Sequence, residues 1–289
     1  MPRTAVFWIR DGVLIDRMPV NAVAFAIACL SYTAPGASVH TNVTELINFA
    51  FETSGISCAD KMAKFNKEKL PLVADVAAAA AYYNELAGKA AESCAYFSGA
   101  CELVGRLKAA GALNFITSAV EQSVLDQWAK SVQGGQLTAH LTEILGKRDR
   151  FNKGRDHFAH VFSQYGVERI FYVADAVAEI RSGATFAEQF AISPIGFANV
   201  ISAAKIKEAY QLVLGEHEKL LLSKGESCVA FGDIDESALC LPGEAALANM
   251  LKAAGATFVV GGEANHIVNN LTAALTASGL LPLEEVSSE

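Results

Sequence analysis

No Cys-x-x-Cys pair, no run of basic residues and no apolar stretch long enough to span a bilayer occurs in this sequence. Each absence removes a class of function. The six cysteines, Cys29, Cys58, Cys94, Cys101, Cys228 and Cys240, are too scattered for a zinc knuckle or a redox motif. A chain of 289 residues needs no cross-links to fold, so they read as reduced thiols. With a formal net charge of −8 and a pI near 5.3 there is no basic stripe to neutralise phosphates, which argues against a nucleic-acid partner. Apolar runs such as Val73 to Tyr83 are too short for a membrane helix. The opening Met-Pro-Arg-Thr leads straight into a strand-like segment with no cleavage-type region, so no membrane association is expected and a cytoplasmic location is.

What is present is a hydrophobic content of 52% against 19% charged residues, enough to fill a substantial core. The chain is organised around Ala5-Val-Phe-Trp-Ile-Arg-Asp-Gly-Val-Leu-Ile-Asp16, a buried-strand pattern ending in a turn-forming Asp-Gly. Residues 17–95 then carry only helical periodicity: Val20, Val23, Ala24, Ile27 and Leu30 up to Pro35-Gly36, then Val43–Glu52, Cys58–Lys69 and the Ala-rich Leu72–Cys94. From Tyr96 strands and helices alternate. Strand patterns at Leu113–Ile116, Arg169–Asp175 and Phe190–Gly196 are separated by helical ones, which implies a parallel sheet with helices on both faces. Residues 198–243 read as an insertion holding a helix over Ala203–Leu222 and a strand-then-turn over Cys228–Glu236. A helix, the strand Gly255–Gly261 and a last helix follow, before an acidic tail.

The succession of motifs resembles the haloacid dehalogenase-like (HAD) superfamily. That family opens with an apolar strand and Asp-x-Asp-Gly-[Thr/Val]-Leu-x-Asp, and Asp11-Gly12-Val13-Leu14-Ile15-Asp16 matches the second half residue for residue. The resemblance implies a Rossmann-like, doubly wound α/β core from residues 1–16 and 96–289, with the insertion at about 198–243, and an all-helical cap domain at 17–95 that covers the site and excludes water. It also implies a reaction. Phosphoryl transfer by aspartate needs a nucleophilic carboxylate, a second carboxyl as general acid/base, magnesium, and donors for the phosphate oxygens.

Mapped onto this chain, the general acid/base position is Asp11, and the nucleophile position two residues earlier holds Ile9. Isoleucine has no lone pair for phosphorus and no oxygen for a metal. The hydroxyl motif corresponds to Thr117 with Ser118, the lysine motif to Lys153 with Lys147 and Arg148 as rivals, and the acidic motif to Asp175 and Glu179, where the family has Gly-Asp-x-x-x-Asp and this chain has Ala174 before the aspartate. Thr117, Ser118 and Lys153 are thus the phosphate-binding candidates; Asp11, Asp175 and Glu179 are the metal candidates, for a magnesium ion held weakly or not at all. Asp233 and Asp235 read as a solvated acidic turn, and His157 with His160, three apart on a helix, lack a third ligand. The expectation is a HAD-like protein that has lost phosphohydrolase activity and binds a small phosphorylated or anionic molecule or a protein partner. Two other readings stay open: a hydrolase using Asp11 as general acid/base, and an oligomer whose interface is the 198–243 insertion.

Overall fold

The computed structural model describes residues 3–34, 42–227, 230–262 and 266–281. Helical periodicity and strand-forming runs have sorted into two units. Arg17–Ala95 with Ile201–Pro242 make the first, whose helices are α1 (Met18–Ser31), α2 (Val43–Glu52), α3 (Cys58–Glu68), α4 (Val76–Ala91) and α11 (Ala203–Lys224). Asn42, Ser57, Asp75 and Ser202 start α2, α3, α4 and α11 by accepting a first-turn backbone N–H, and Gly225, left-handed at φ 73°, stops α11. Phe49 links the interior, stacked on Phe25 at 6.4 Å and edge-on to Phe65 at 5.0 Å.

The helix α11 packs on α1 and α4, burying Ile206, Val213 and Leu220, and Tyr82 of α4 meets buried His217 at 2.5 Å. Asn48 of α2 also holds the returning chain, donating to the Ala238 carbonyl and accepting from Cys240 N–H. Residues 201–242 therefore belong to the helical unit, which corrects their assignment to the α/β core. The physical reason is that the apolar face of α11 finds its complement on α1 and α4. The Cys228–Glu236 reading is corrected too: residues 230–235 are irregular and lead into a single 3₁₀ turn, Glu236–Ala238. Cys228, Pro35-Gly36 and residues 282–289 of the tail lie outside the described residues.

The second unit is a six-stranded, wholly parallel sheet in the order β3-β2-β1-β4-β5-β6. Its strands are β1 (Thr4–Trp8), β2 (Leu113–Glu121), β3 (Glu143–Lys147), β4 (Arg169–Ala174), β5 (Ile192–Asn199) and β6 (Phe258–Gly262). The connecting helices are α5 (Ala100–Ala109), α6 (Gln122–Lys130), α7 (Val132–Thr138), α8 (Arg155–Tyr165), α9 (Val177–Thr185), α10 (Ala187–Phe190), α12 (Glu244–Ala253) and α13 (Ile267–Ala277). This is the doubly wound α/β architecture. Trp8, Phe7, Phe115 and Tyr172 are fully buried, with Phe7 stacked on Phe115 and edge-on to Phe158 of α8.

Elements of the sheet differ from the sequence reading: the strand read over Phe190–Gly196 runs Ile192–Asn199, with Phe190 closing α10. Leu113–Ile116 continues to Glu121, so Thr117 and Ser118 lie within β2 and not beyond its end, with the ladder to β3 shifting register between Thr117 and Glu121. Glu143–Lys147 is a strand whose few apolar residues gave no alternation signal; it pairs at the sheet edge through the backbone. In a sheet of this order the strand direction of winding reverses at β1 and β4, and the crest outside their C-terminal ends is where such folds bind ligands.

Candidate active site

β1 lies between β2 and β4, in register Trp8↔Ile116 on one side and Trp8↔Val173 on the other. One step further along are Ile9, Thr117 and Ala174. Ile9 extends the ladder by donating its N–H to the Val173 carbonyl at 3.2 Å, and its side chain is buried. The chain then turns sharply. Gly12, at φ 95°, adopts the left-handed conformation this turn requires and donates to the Ile15 carbonyl at 2.8 Å, while the N–H groups of Leu14 and Ile15 close onto the Arg10 carbonyl.

At this turn Arg10 and Asp11 form a two-pronged ion pair: Arg10 Nε donates to Asp11 Oδ1 at 2.7 Å and Nη2 to Oδ2 at 3.1 Å. Arg10 is 4% exposed, and its guanidinium stacks over the Trp128 ring of α6 at 5.1 Å. A planar guanidinium matches a carboxylate fork, so both Asp11 oxygens take an Arg10 hydrogen. At the end of β4, Lys153, just ahead of α8, is ion-paired to Glu179 in the first turn of α9, both largely buried. Asp175 lies between these pairs. Burial, first, and the neighbouring Glu179 push its pKa up to about 8, with a smaller push from Asp11, against the opposing effect of Lys153 and a backbone hydrogen bond. Two carboxylates are thus each paired with a cation, and the third is pushed towards its neutral form.

The hydroxyl side is also committed. Thr117 Oγ1 and His157 Nδ1 of α8 are 2.7 Å apart, both fully buried. Burial lowers the His157 pKa to about 4, outweighing the Gly146 carbonyl that favours the charged ring, so the imidazole is neutral and Nδ1 accepts from the threonine or the Thr117 oxygen accepts from it. Ser118 Oγ accepts from Val120 N–H at 3.2 Å, a local turn contact within β2.

The fold family's magnesium finds few uncommitted oxygens among these residues. Ile9 offers none, both oxygens of Asp11 take Arg10 and one oxygen of Glu179 takes Lys153, which leaves Glu179 Oε2, buried without a hydrogen-bond partner, and Asp175. Among the described residues no three His, Cys, Asp or Glu side chains converge as metal ligands. The structure thus brings Ile9, Asp11, Asp175, Glu179, Lys153 and Thr117 to one sheet crest, with Arg10–Asp11, Lys153–Glu179 and Thr117–His157 as pairs and Glu179 Oε2 buried without a hydrogen-bond partner. The lysine rivals sit elsewhere: Lys147 pairs with Glu121 at 3.3 Å, and Arg148 reaches Gln122 and Glu143. His160 bonds Glu143 at 2.9 Å, and Asp233 and Asp235 are exposed in the helical unit.

Sequence reasoning missed two residues. Arg10 was visible as a charge at the end of an apolar strand, immediately before Asp11, and its position there signals a buried partner. His157 carried no such signal, because a lone histidine on a helix says nothing about the strand it will face.

The fold is shared with solved HAD-family hydrolases and phosphatases along nearly the whole chain. A HAD family hydrolase from Deinococcus radiodurans R1, solved with phosphate and sodium bound, is 19% identical with a TM-score of 0.56, covering 97% of this chain and 98% of its own. A predicted phosphatase from Clostridium acetobutylicum is 14% identical with a TM-score of 0.56 over 96% of this chain and 99% of that one. A hydrolase from Pseudomonas syringae is 15% identical with a TM-score of 0.55 over 93% and 98%. No family model and no curated relative matches the sequence. Among the described residues no helix is long and apolar enough to cross a membrane.

Proposed function

We propose that this protein is a non-hydrolytic HAD-fold scaffold, cytoplasmic, that binds a small anionic molecule or a protein partner without turning over phosphate esters. The observation that carries the reading is Ile9 at the crest position between Thr117 and Ala174, where the chemistry of this fold begins with a carboxylate. An aliphatic side chain cannot form the acyl phosphate, and losing a member of such a cooperating group commonly costs on the order of 10⁴ to 10⁶ in turnover. The ion pairs support the same reading. Arg10 supplies, within the chain, a positive charge beside Asp11, and capture of a phosphate by Lys153 would have to break its pair with Glu179.

The reading of Asp11 as general acid/base comes second. That role needs an oxygen free to receive and return a proton, and Arg10 holds both. Nor does the 201–242 segment favour an oligomer reading, since the buried face of α11 is covered by α1 and α4.

Titration calorimetry with magnesium tests the proposal without reference to any substrate. The expected result is no saturable heat at millimolar metal; a saturable isotherm that disappears in Asp175→Asn would overturn it.

A further inference from the structure

A second polar feature lies on the other half of the sheet, at the ends of β5 and β6. Asn199, the last residue of β5, is 6% exposed, and neither its Oδ1 nor its Nδ2 has a hydrogen-bond partner. Buried amide atoms without partners are destabilising, so a native protein meets such a group with an ordered water, an ion or a ligand.

The direction of the side chain follows from the sheet. Asn199 is in register with Gly262 of β6, and residues in register project to the same face. A Cβ on Gly262 would point at the first turn of α13, 3.8 Å from Ile267 N and 3.0 Å from Asn270 Nδ2. Alternation along β5 agrees: Phe197 shares the face of Asn199 and meets Phe97, beside the start of α5, where a Cβ on Gly99 would touch Val268 of α13 at 3.6 Å. Asn199 therefore faces the N-terminus of α13. That helix spans eleven residues and has no side-chain cap at His266, and its first backbone bond runs from Asn270 N–H to the His266 carbonyl. Its opening amides and the positive end of its dipole are directed at the space the asparagine borders. Asn270 is not a competitor for that space, since its Nδ2 is tied to the Gly261 carbonyl at 2.7 Å. The adjacent carboxylate, Glu244, lies against Gly261, whose Cβ direction is on the opposite face.

We propose that Asn199 and the first turn of α13 form a binding site for a small protonated oxyanion, of which hydrogen phosphate, free or esterified, is the fitting class. The helix amides and the Asn199 Nδ2 hydrogens donate to its oxygens, and Asn199 Oδ1 accepts its hydroxyl hydrogen. An oxyanion with no proton leaves Oδ1 unsatisfied. This site is distinct from the β1–β4 crest and stands whether or not that crest has lost its chemistry.

The test is an amide-resolved NMR titration of the full chain with inorganic phosphate, at constant ionic strength set by chloride. The expected result is a saturable shift of the Ile267, Val268 and Asn269 amides in the wild type, lost in Asn199→Leu, a variant expected to fold because it removes the unpaired amide. Sulfate should bind at least tenfold more weakly. A small phosphomonoester run in parallel distinguishes the sources, the tighter ligand naming the free or the esterified group. Shifts confined to Lys153 and Thr117, no shift at the α13 amides, an unchanged response in Asn199→Leu, or sulfate binding as well as phosphate would each overturn the proposal. Should the leucine variant not fold, the wild-type contrast between phosphate and sulfate at the α13 amides decides alone.

Discussion

At the crest of the sheet, the Arg10 guanidinium places a positive charge against Asp11. Removing one partner of a buried ion pair leaves the other desolvated and unpaired. Asp11 keeps some exposure, so Arg10→Met is expected to cost on the order of 2 kcal/mol, less than a fully buried pair would; urea denaturation measures it, and adding Asp11→Leu should recover most of the loss. A double variant as unstable as the single one would show that Arg10 acts through Trp128 and not through Asp11. Asp175 makes a separate prediction. Its folded pKa, about 8, lies above the ordinary carboxylate value of 3.8, so between those values the folded state holds more protons than the unfolded one. Stability contributed by this group therefore falls as pH rises from about 4 towards 8. Asp175→Asn removes that slope: relative to wild type it should gain on the order of 2 kcal/mol between pH 5 and pH 8, read from melting curves at the two pH values. A constant difference would mean that Asp175 is ionised in the folded protein.

Between elements, the Thr117–His157 contact couples β2 to α8 with the opposite pH sign. The folded pKa of His157, about 4, is below its ordinary 6.5, so the unfolded state takes up the proton first as the solution is acidified. The stability it contributes is complete above pH 6.5 and is lost as pH falls towards 4. In His157→Gln that acid limb should flatten, with the pH-jump unfolding rate as the check. Packing of α9 on the sheet makes a third case. A Cβ on Gly183 would lie 2.7 Å from Cδ1 of Tyr172, a fully buried ring, and 3.3 Å from Pro194. Although alanine favours a helix interior, Gly183→Ala should destabilise by about 1–3 kcal/mol because the ring has nowhere to move. Elements of this kind also show what a sequence reveals. The helices α1 to α4 were legible from 3.6-residue periodicity and, for α4, from its Ala-rich run. β1 and β4 were legible from unbroken apolar runs. β3 was not, since Glu143-Ile-Leu-Gly-Lys is held by edge pairing and not by its own pattern.

For the molecule as a whole, the order of motifs along the chain brought Ile9, Asp11, Thr117, Lys153 and Asp175 to one edge of one sheet, and that much the sequence carried. It did not carry the pairing among them, because an ion pair such as Lys153–Glu179 depends on rotamers set by packing that no spacing rule encodes. Nor did it disclose that residues 201–242 join the helical unit, since the partner faces of α11 lie more than a hundred residues earlier in the chain. The parts together describe a doubly wound α/β fold with Ile9 at the crest beside the Arg10–Asp11 and Lys153–Glu179 ion pairs, and the proposed loss of hydrolysis rests on that residue. The most direct measurement is hydrolysis of a panel of small phosphate monoesters by the purified wild-type protein, with and without magnesium. Release of phosphate at the buffer rate in both conditions is the predicted result; magnesium-dependent turnover that Asp11→Asn abolishes would contradict it.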